Sequence, residues 1–194
     1  MKKSAWLIVL GVVVVLGLWL VSSYNGFIAA KANVDGQWAQ VETQYQRRFD
    51  LIPNLVATTK GNARFEQETF TEIAQARSGW AQAKNVGDRG QQIDAAQEFD
   101  AAFTPALSRI MLTVEAYPEL KANASFASLM TEITGTENRI SVARKDYNES
   151  VKGYNVKVQS FPGALFARLF GFNAEDFFQS TPGSETAPTV DFEQ

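Results

Sequence analysis

The stretch FASLMTEITGTENRISVARKDYNESVKGYNVKVQ, residues 126–159, decides the fold of this chain. Large apolar or aromatic side chains recur every seven residues along it and just beyond it, at Phe126, Ile133, Ile140, Tyr147, Tyr154 and Phe161. An apolar seven-residue repeat sustained over this length is typical of a helix that packs in a coiled-coil-like seam. The stretch therefore predicts one helix that is about 50 Å long, at roughly 1.5 Å of rise per residue.

The segments before this helix are also predicted to be helical, because their apolar residues lie three and four positions apart and no strand-like alternation is present. A first helix continues from the apolar N-terminus to Pro53, which lacks an N–H and disfavours an α conformation at the preceding residue. A kink at Pro53, giving three longer rods instead of four helices, is the alternative. A second helix is expected to reach about Ala83, and a third covers 92–117.

Helices of similar length joined by short turns pack as antiparallel neighbours. We therefore predict an all-α fold, in which an N-terminal transmembrane helix precedes an antiparallel up-and-down bundle of about four helices with left-handed, coiled-coil-like packing. The predicted parts are an anchor (1–24), the bundle (25–160), a short amphipathic segment (161–172) and an acidic, disordered tail (173–194). The apolar face of the amphipathic segment either caps the open end of the bundle or lies in the membrane interface.

The N-terminus predicts a retained membrane anchor. Ala5 to Val21 contains only apolar residues and Gly, and polar residues after it extend the run to about the 20 positions that span a bilayer. A cleaved signal peptide, with Ala30 to Ala32 as its processing site, is the alternative, but its apolar core is usually shorter. Lys2 and Lys3 precede the span and only Lys31 follows closely, so the positive-inside rule leaves the N-terminus in the cytoplasm.

Composition excludes several classes of chemistry. The chain has no Cys and no His, which removes thiolate nucleophiles, His-based triads and His metal ligands. The net charge is -3, and residues 172–194 hold five acidic residues and no Lys or Arg. The remaining positive balance is too weak to favour nucleic-acid binding. We predict no enzymatic activity, no cofactor and no metal, and a hydrolase is the least favoured alternative.

Four ionisable residues interrupt the predicted apolar stripes, namely Glu66, Arg77, Glu137 and Arg144. Buried charge is costly unless it is paired, so an internal ladder of ion pairs is the favoured interpretation and a polar ligand site is the alternative. Tyr147-Asn148 and Tyr154-Asn155 repeat at seven residues on the same helix. Buried Tyr hydroxyls usually reach a polar partner, which makes a structural role more expected than ligand binding.

Several blocks of the chain resemble the LemA family of bacterial membrane proteins. They are QRRFDLIPNLV (46–56), KGNARFE (60–66), ENRISVARKDYNESVKGYN (137–155), FPGALFARLFGF (161–172) and PTVDF (188–192). The resemblance implies a helical bundle behind one transmembrane helix, without an established catalytic activity or catalytic residues to transfer. It also implies a short N-terminus outside the cell, in contrast to the charge count. A His that often precedes the Glu of the second block is Phe65 here.

These observations favour a membrane-anchored, non-enzymatic scaffold or adaptor of the LemA type, in the bacterial inner membrane with the bundle in the periplasm. We expect its partners to be the lipid bilayer and proteins that the sequence does not identify. The sequence leaves open whether the chain also forms a homo-oligomer. The alternative is a membrane-tethered sensor that binds a small ligand or ion in a polar bundle core. A dry, fully paired core would favour the scaffold, and a hydrated polar cavity would favour the sensor.

Overall fold

Every regular element in the described part of the chain is an α-helix. The computed structural model describes residues 2–59 and 67–179. The helices are α1 (Lys2–Thr59), α2 (Gln67–Val86), α3 (Arg89–Glu115), α4 (Pro118–Lys121), α5 (Ala124–Gln159) and α6 (Gly163–Phe170). The predicted all-α fold is confirmed, and α1, α2, α3 and α5 are the long helices of the described residues.

Helix α1 runs without interruption through Pro53. The prediction that the first helix ends there is wrong, since α1 ends at Thr59 and α2 begins at Gln67. Pro53 is exposed, whereas Ile52 and Leu55 are buried on either side of it. The apolar face of α1 is therefore continuous past the proline, and burial of that face offsets the roughly 3 kcal/mol that an interior proline costs.

The N-terminal part of α1 is the one helical segment among the described residues that is long and apolar enough to cross a membrane. None of its most apolar window is buried by the rest of the chain. A core helix of a water-soluble domain would have its apolar side chains covered by protein. Exposed apolar residues on all sides are instead what a helix surrounded by lipid presents.

The chain divides into two compact units, the first of which contains residues 1–46 and 137–176. In unit 1, α1 and α5 pack antiparallel, because contacts pair early residues of α1 with late residues of α5. Lys157 Nζ donates to the Gly26 carbonyl at 3.5 Å. Further along, the Trp38 and Tyr147 rings meet edge to face at 5.3 Å between centroids.

The described residues of unit 2 are 47–59, 67–136 and 177–179. Its aromatic core includes Phe49, whose ring meets Phe99 edge to face at 4.7 Å and lies 6.1 Å from Trp80. The turn between α2 and α3 is only Gly87 and Asp88, shorter than the interval of about 84–91 left between the two predicted helices. Gly87 adopts a left-handed φ of 77°, and Asp88 caps α3. The Asp88 carboxylate accepts from Gln91 N at 2.9 Å, which satisfies one of the free N–H groups of the first turn.

The seven-residue seam of α5 is buried as predicted, except at its last member. Phe126, Ile133, Ile140, Tyr147 and Tyr154 are each at most 4% exposed. Phe161 is 83% exposed, because α5 ends at Gln159 and the periodicity of the helix ends with it.

Candidate functional site

Of the four predicted inward charges, three lie among the described residues, and two of those three are exposed. Glu66 lies outside the described residues, and Arg77 is exposed on α2 with its guanidinium 5.9 Å from the Phe49 ring. Glu137 is also exposed, which corrects the prediction that it points inward. The neighbouring Thr136 is buried in its place and satisfies its own hydroxyl by donating to the Ile133 carbonyl at 2.6 Å.

Arg144 is half-buried in unit 1, where it meets Tyr45 of α1. Its Nη2 donates to the Tyr45 hydroxyl oxygen, and its guanidinium lies 5.5 Å from the centre of the Tyr45 ring. A cation over an aromatic face is stabilised by the quadrupole of the ring. Arg144 is thus held at the α1–α5 contact by an aromatic partner.

Tyr147 and Asn155 of α5 hold a segment of the chain that was expected to be disordered. The segment, residues 173–176, has no helical or strand structure, and we call it the strap. Asn155 Nδ2 donates to the Glu175 carbonyl at 2.8 Å, and Glu175 N donates to Asn155 Oδ1 at 2.8 Å. The Tyr147 hydroxyl donates to the Asp176 carbonyl at 2.9 Å.

The reciprocal pair of hydrogen bonds fixes the strap more firmly than one bond would. A side-chain amide that bonds both the N–H and the C=O of one residue substitutes for a paired backbone strand. Asn155 is 8% exposed and Tyr147 is fully buried, so both polar groups rely on the strap for hydrogen bonds that solvent supplies poorly at this site. One residue of each Tyr-Asn repeat, Tyr147 of the first and Asn155 of the second, therefore has a structural reason, which is to satisfy an extended backbone.

Lys31 of α1 completes this arrangement by pairing with the Glu175 carboxylate and lying 3.4 Å from Asp35 Oδ1. Its ammonium is also 6.0 Å from the centre of the Tyr154 ring. Burial raises the pKa of Tyr154, and the negative charges of Glu175 and then Asp35 raise it further. We call Lys31, Tyr147 and Asn155 the clamp, because these side chains bind the strap directly.

Unit 2 contains a buried ion pair that the sequence analysis missed. Arg48 of α1 is 0% exposed, and its Nη1 donates to Asp100 Oδ1 of α3 at 2.8 Å. The guanidinium is also 5.2 Å from the centre of the Phe103 ring. Arg48 lies seven residues after Val41 and seven before Leu55, both buried, so the helical spacing was the signal that marked it as interior.

An open groove in unit 1 has a volume of about 350 Å³. It is lined by Gln37, Gln40 and Gln44 of α1 and by Asn138, Arg139, Val142, Ala143 and Asp146 of α5. Gln44 Oε1 is buried there and has no hydrogen-bond partner among the described residues. No group of three or more acidic side chains within residues 2–59 and 67–179 is arranged to hold a metal ion.

Comparison of the sequence with known protein families identifies the family of this chain. The model described as the LemA family matches residues 37–192, which is well over half of the 194 residues. The chain belongs to the LemA family.

Named relatives agree with this assignment. Magnetosome protein MamQ 2 of Paramagnetospirillum magneticum is 27% identical over 186 residues, covering 86% of this chain and 68% of the relative. Magnetosome protein MamQ of Magnetospirillum gryphiswaldense is 26% identical, with the same coverage. Protein LemA of Metamycoplasma hominis is 25% identical over 122 residues, covering 62% of this chain and 52% of that protein. None of these names denotes an enzymatic activity.

The LemA match bears on the sites described above. It includes the Arg48–Asp100 pair and the strap together with Tyr147 and Asn155 of the clamp. The apolar span of α1 and Lys31 precede the matched region. The strap contact on α5 is therefore part of the region that matches the LemA family, and the apolar span lies in front of that region.

Proposed function

We propose that this LemA-family protein is a membrane-anchored scaffold that presents its C-terminal segment to protein partners. The observation that carries the proposal is the reciprocal pair of hydrogen bonds between Asn155 and Glu175. A segment that only trailed from α6 would need no such contact. By fixing residues 175 and 176, the clamp determines where the following residues leave unit 1.

The chemistry of those following residues indicates the kind of partner. Residues 177–194 contain Glu185, Asp191 and Glu193 and no Lys or Arg. Phe177, the first residue after the strap, is 41% exposed. A partner with a basic surface and an apolar recess would complement this combination of charge and aromatic area.

We also propose that the N-terminus lies in the cytoplasm and the helical domain in the periplasm of a bacterial inner membrane. Lys2 and Lys3 precede the apolar span, whereas Lys31 is the only Lys or Arg within about 20 residues after it. Lys31 is moreover paired with Glu175 and Asp35. Protease protection in spheroplasts tests this orientation, since only an external helical domain is digested while the membrane is intact.

Crosslinking in intact cells tests the scaffold role. The full chain and its Asn155→Ala variant are crosslinked in the membrane, and the captured proteins are identified by mass spectrometry. We expect partners of the wild-type chain to be lost or shifted to other crosslinked positions in the variant. Asn138→Ala is the matched control, because Asn138 is an exposed Asn of the same helix. An unchanged set of partners and positions in Asn155→Ala would contradict presentation by the clamp.

A second candidate, a sensor of a small polar ligand, is favoured by the groove beside Gln44. The buried Gln44 Oε1 would accept a hydrogen bond from a ligand that donates an N–H or O–H group. Gln44→Met separates the two roles in a complementation assay of a deletion strain. A scaffold keeps its cellular activity and gains or retains stability, whereas a sensor loses activity without losing stability.

A further inference from the structure

Helix α6 exposes a compact set of large apolar side chains. Phe161 is 83%, Leu165 62% and Leu169 74% exposed. Leu165 and Leu169 lie one turn apart on the same face of α6, and Phe161 directly precedes the helix. A neighbouring face of α6 is covered, because Ala167 is 1% exposed. The helix is therefore attached to unit 1 along one side, and its apolar side is left uncovered by the described residues.

Two aromatic side chains attach α6 to the end of the apolar span in α1. The Phe166 ring meets Trp19 edge to face at 5.0 Å, and the Phe170 ring meets Tyr24 in the same way at 5.2 Å. Trp and Tyr are the residues that concentrate at the level of lipid headgroups. The exposed side of α6 therefore continues the apolar surface of the span at the depth where the bilayer ends.

Positive charges lie beside this apolar surface. Arg168 of α6 is exposed, about 100° around the helix from Leu169. Lys157, near the end of α5, reaches the Gly26 carbonyl of α1 at 3.5 Å and is itself exposed. Apolar side chains flanked by Arg and Lys are the arrangement by which a helix lies in the interface of a membrane that contains anionic lipids.

We propose that α6 is an interfacial membrane helix, with Phe161, Leu165 and Leu169 embedded among the lipids on the side of the bilayer that faces the helical domain. The occupant of this surface is the bilayer, because the surface is continuous with the span through Trp19 and Tyr24. The inference requires that α1 is anchored in the membrane. It does not depend on the scaffold role.

The absence of Cys allows a direct test with single probes in the full chain. Leu169→Cys is labelled with an environment-sensitive fluorophore and reconstituted in phosphatidylcholine–phosphatidylglycerol vesicles that contain phosphatidylcholine brominated on its acyl chains. Lys152→Cys, at an exposed position of α5, is the matched control, and Val13→Cys marks the span. We expect quenching at position 169 to be at least about twofold stronger than at position 152.

Two results would overturn the proposal, and they differ in meaning. Quenching at position 13 but not at 169 shows that the anchor is inserted while α6 stays in water. Shielding of position 169 from an aqueous quencher without quenching by brominated lipid shows that a second copy or another protein covers the helix. Failure of the scaffold role would change neither measurement, because partners play no part in the vesicle assay.

Discussion

Replacing Arg48 by Met should destabilise the protein by about 3 kcal/mol, near the lower end of the range for breaking a buried ion pair from one side. Arg48 is 0% exposed, but the side chain of its partner Asp100 is 20% exposed. Water therefore still reaches the carboxylate that the substitution leaves behind. Met also retains most of the apolar stem of Arg48, so the loss of packing is small.

Neutralising the other partner, Asp100, should destabilise the protein more than Arg48→Met does, although the change is chemically milder. Asp100→Asn leaves the wholly buried guanidinium of Arg48 facing a neutral amide, and we expect a loss of about 4 to 5 kcal/mol. Converting both residues to apolar ones, as in Arg48→Met with Asp100→Leu, should recover most of the loss, because no charge remains buried. We therefore expect the largest loss of stability in Asp100→Asn, a smaller loss in Arg48→Met and the smallest in the double variant. This order is a sharper expectation than any one value.

Urea denaturation of the full chain in mild detergent, followed by circular dichroism, measures these changes. Arg47→Met is the matched control, since Arg47 is adjacent but pairs at 3.3 Å with Glu132 in a contact whose side chains are 53% and 49% exposed. We expect the control to change the free energy of unfolding by less than about 1 kcal/mol. Equal effects of Arg47→Met and Arg48→Met, or a double variant as unstable as Asp100→Asn, would refute the assignment of Arg48–Asp100 as a stabilising buried pair.

Three further predictions follow from other residues. The pKa of Tyr154 is higher in the folded than in the unfolded protein, so Tyr154 keeps its proton to a higher pH when folded. Its contribution to stability is therefore complete below pH about 10 and declines as the pH rises further. Urea denaturation above this pH should show a smaller decline in the free energy of unfolding for Tyr154→Phe than for the wild-type chain. A decline of the same size in that variant would contradict the assignment. Asn155→Ala removes two hydrogen bonds and should cost about 1 to 3 kcal/mol while speeding hydrogen exchange in the strap, whereas Asn138→Ala should change neither. Pro53→Ala adds an N–H donor inside α1 and should raise the free energy of unfolding by about 1 to 3 kcal/mol, and Pro118→Ala, at the start of α4, serves as its control. Loss of stability in Pro53→Ala would show that the proline is needed at that position.

Periodicity predicted the helices well, but it did not predict which of two adjacent residues faces the core. The interior of α5 follows steps of three and four residues, so at each level two neighbours compete for the buried position. At one level Thr136 is buried and Glu137 is exposed. A small side chain that bonds its own helix carbonyl needs no outside partner, whereas a carboxylate in that position does.

The end of the first helix could not be predicted from the local rule for proline. That rule describes the cost of one missing hydrogen bond and one steric contact, which is about 3 kcal/mol. It does not include the apolar face that continues across Pro53 at Ile52 and Leu55. Tertiary burial on both sides of the proline exceeds the local cost, so helix propensity alone gave the wrong boundary.

Arg48 was missed because the partner that makes its burial tolerable lies 52 residues away in the sequence. Its spacing from Val41 and Leu55 indicates an interior position, but a single sequence does not give the register between α1 and α3. Without that register, the carboxylate of Asp100 is one of many that could face it. Interior charges are thus visible as exceptions to an apolar pattern, while their partners become visible only once the helices are packed.

The strap shows why a polar repeat can be recognised in sequence while its purpose is not. Tyr147 and Asn155 belong to different copies of the Tyr-Asn repeat, and eight residues of helix separate them by about 12 Å. They nevertheless bind the adjacent residues Asp176 and Glu175. The long Tyr side chain spans part of this separation, so one helix face can hold consecutive peptide groups of an extended segment. The strap uses backbone groups in three of its hydrogen bonds, and it depends on side-chain identity mainly through the Lys31–Glu175 pair. Glu175→Gln should therefore weaken the strap less than Asn155→Ala does, and hydrogen exchange at residues 175 and 176 measures the difference. Faster exchange in Glu175→Gln than in Asn155→Ala would mean that charge, and not the backbone, holds the strap in place.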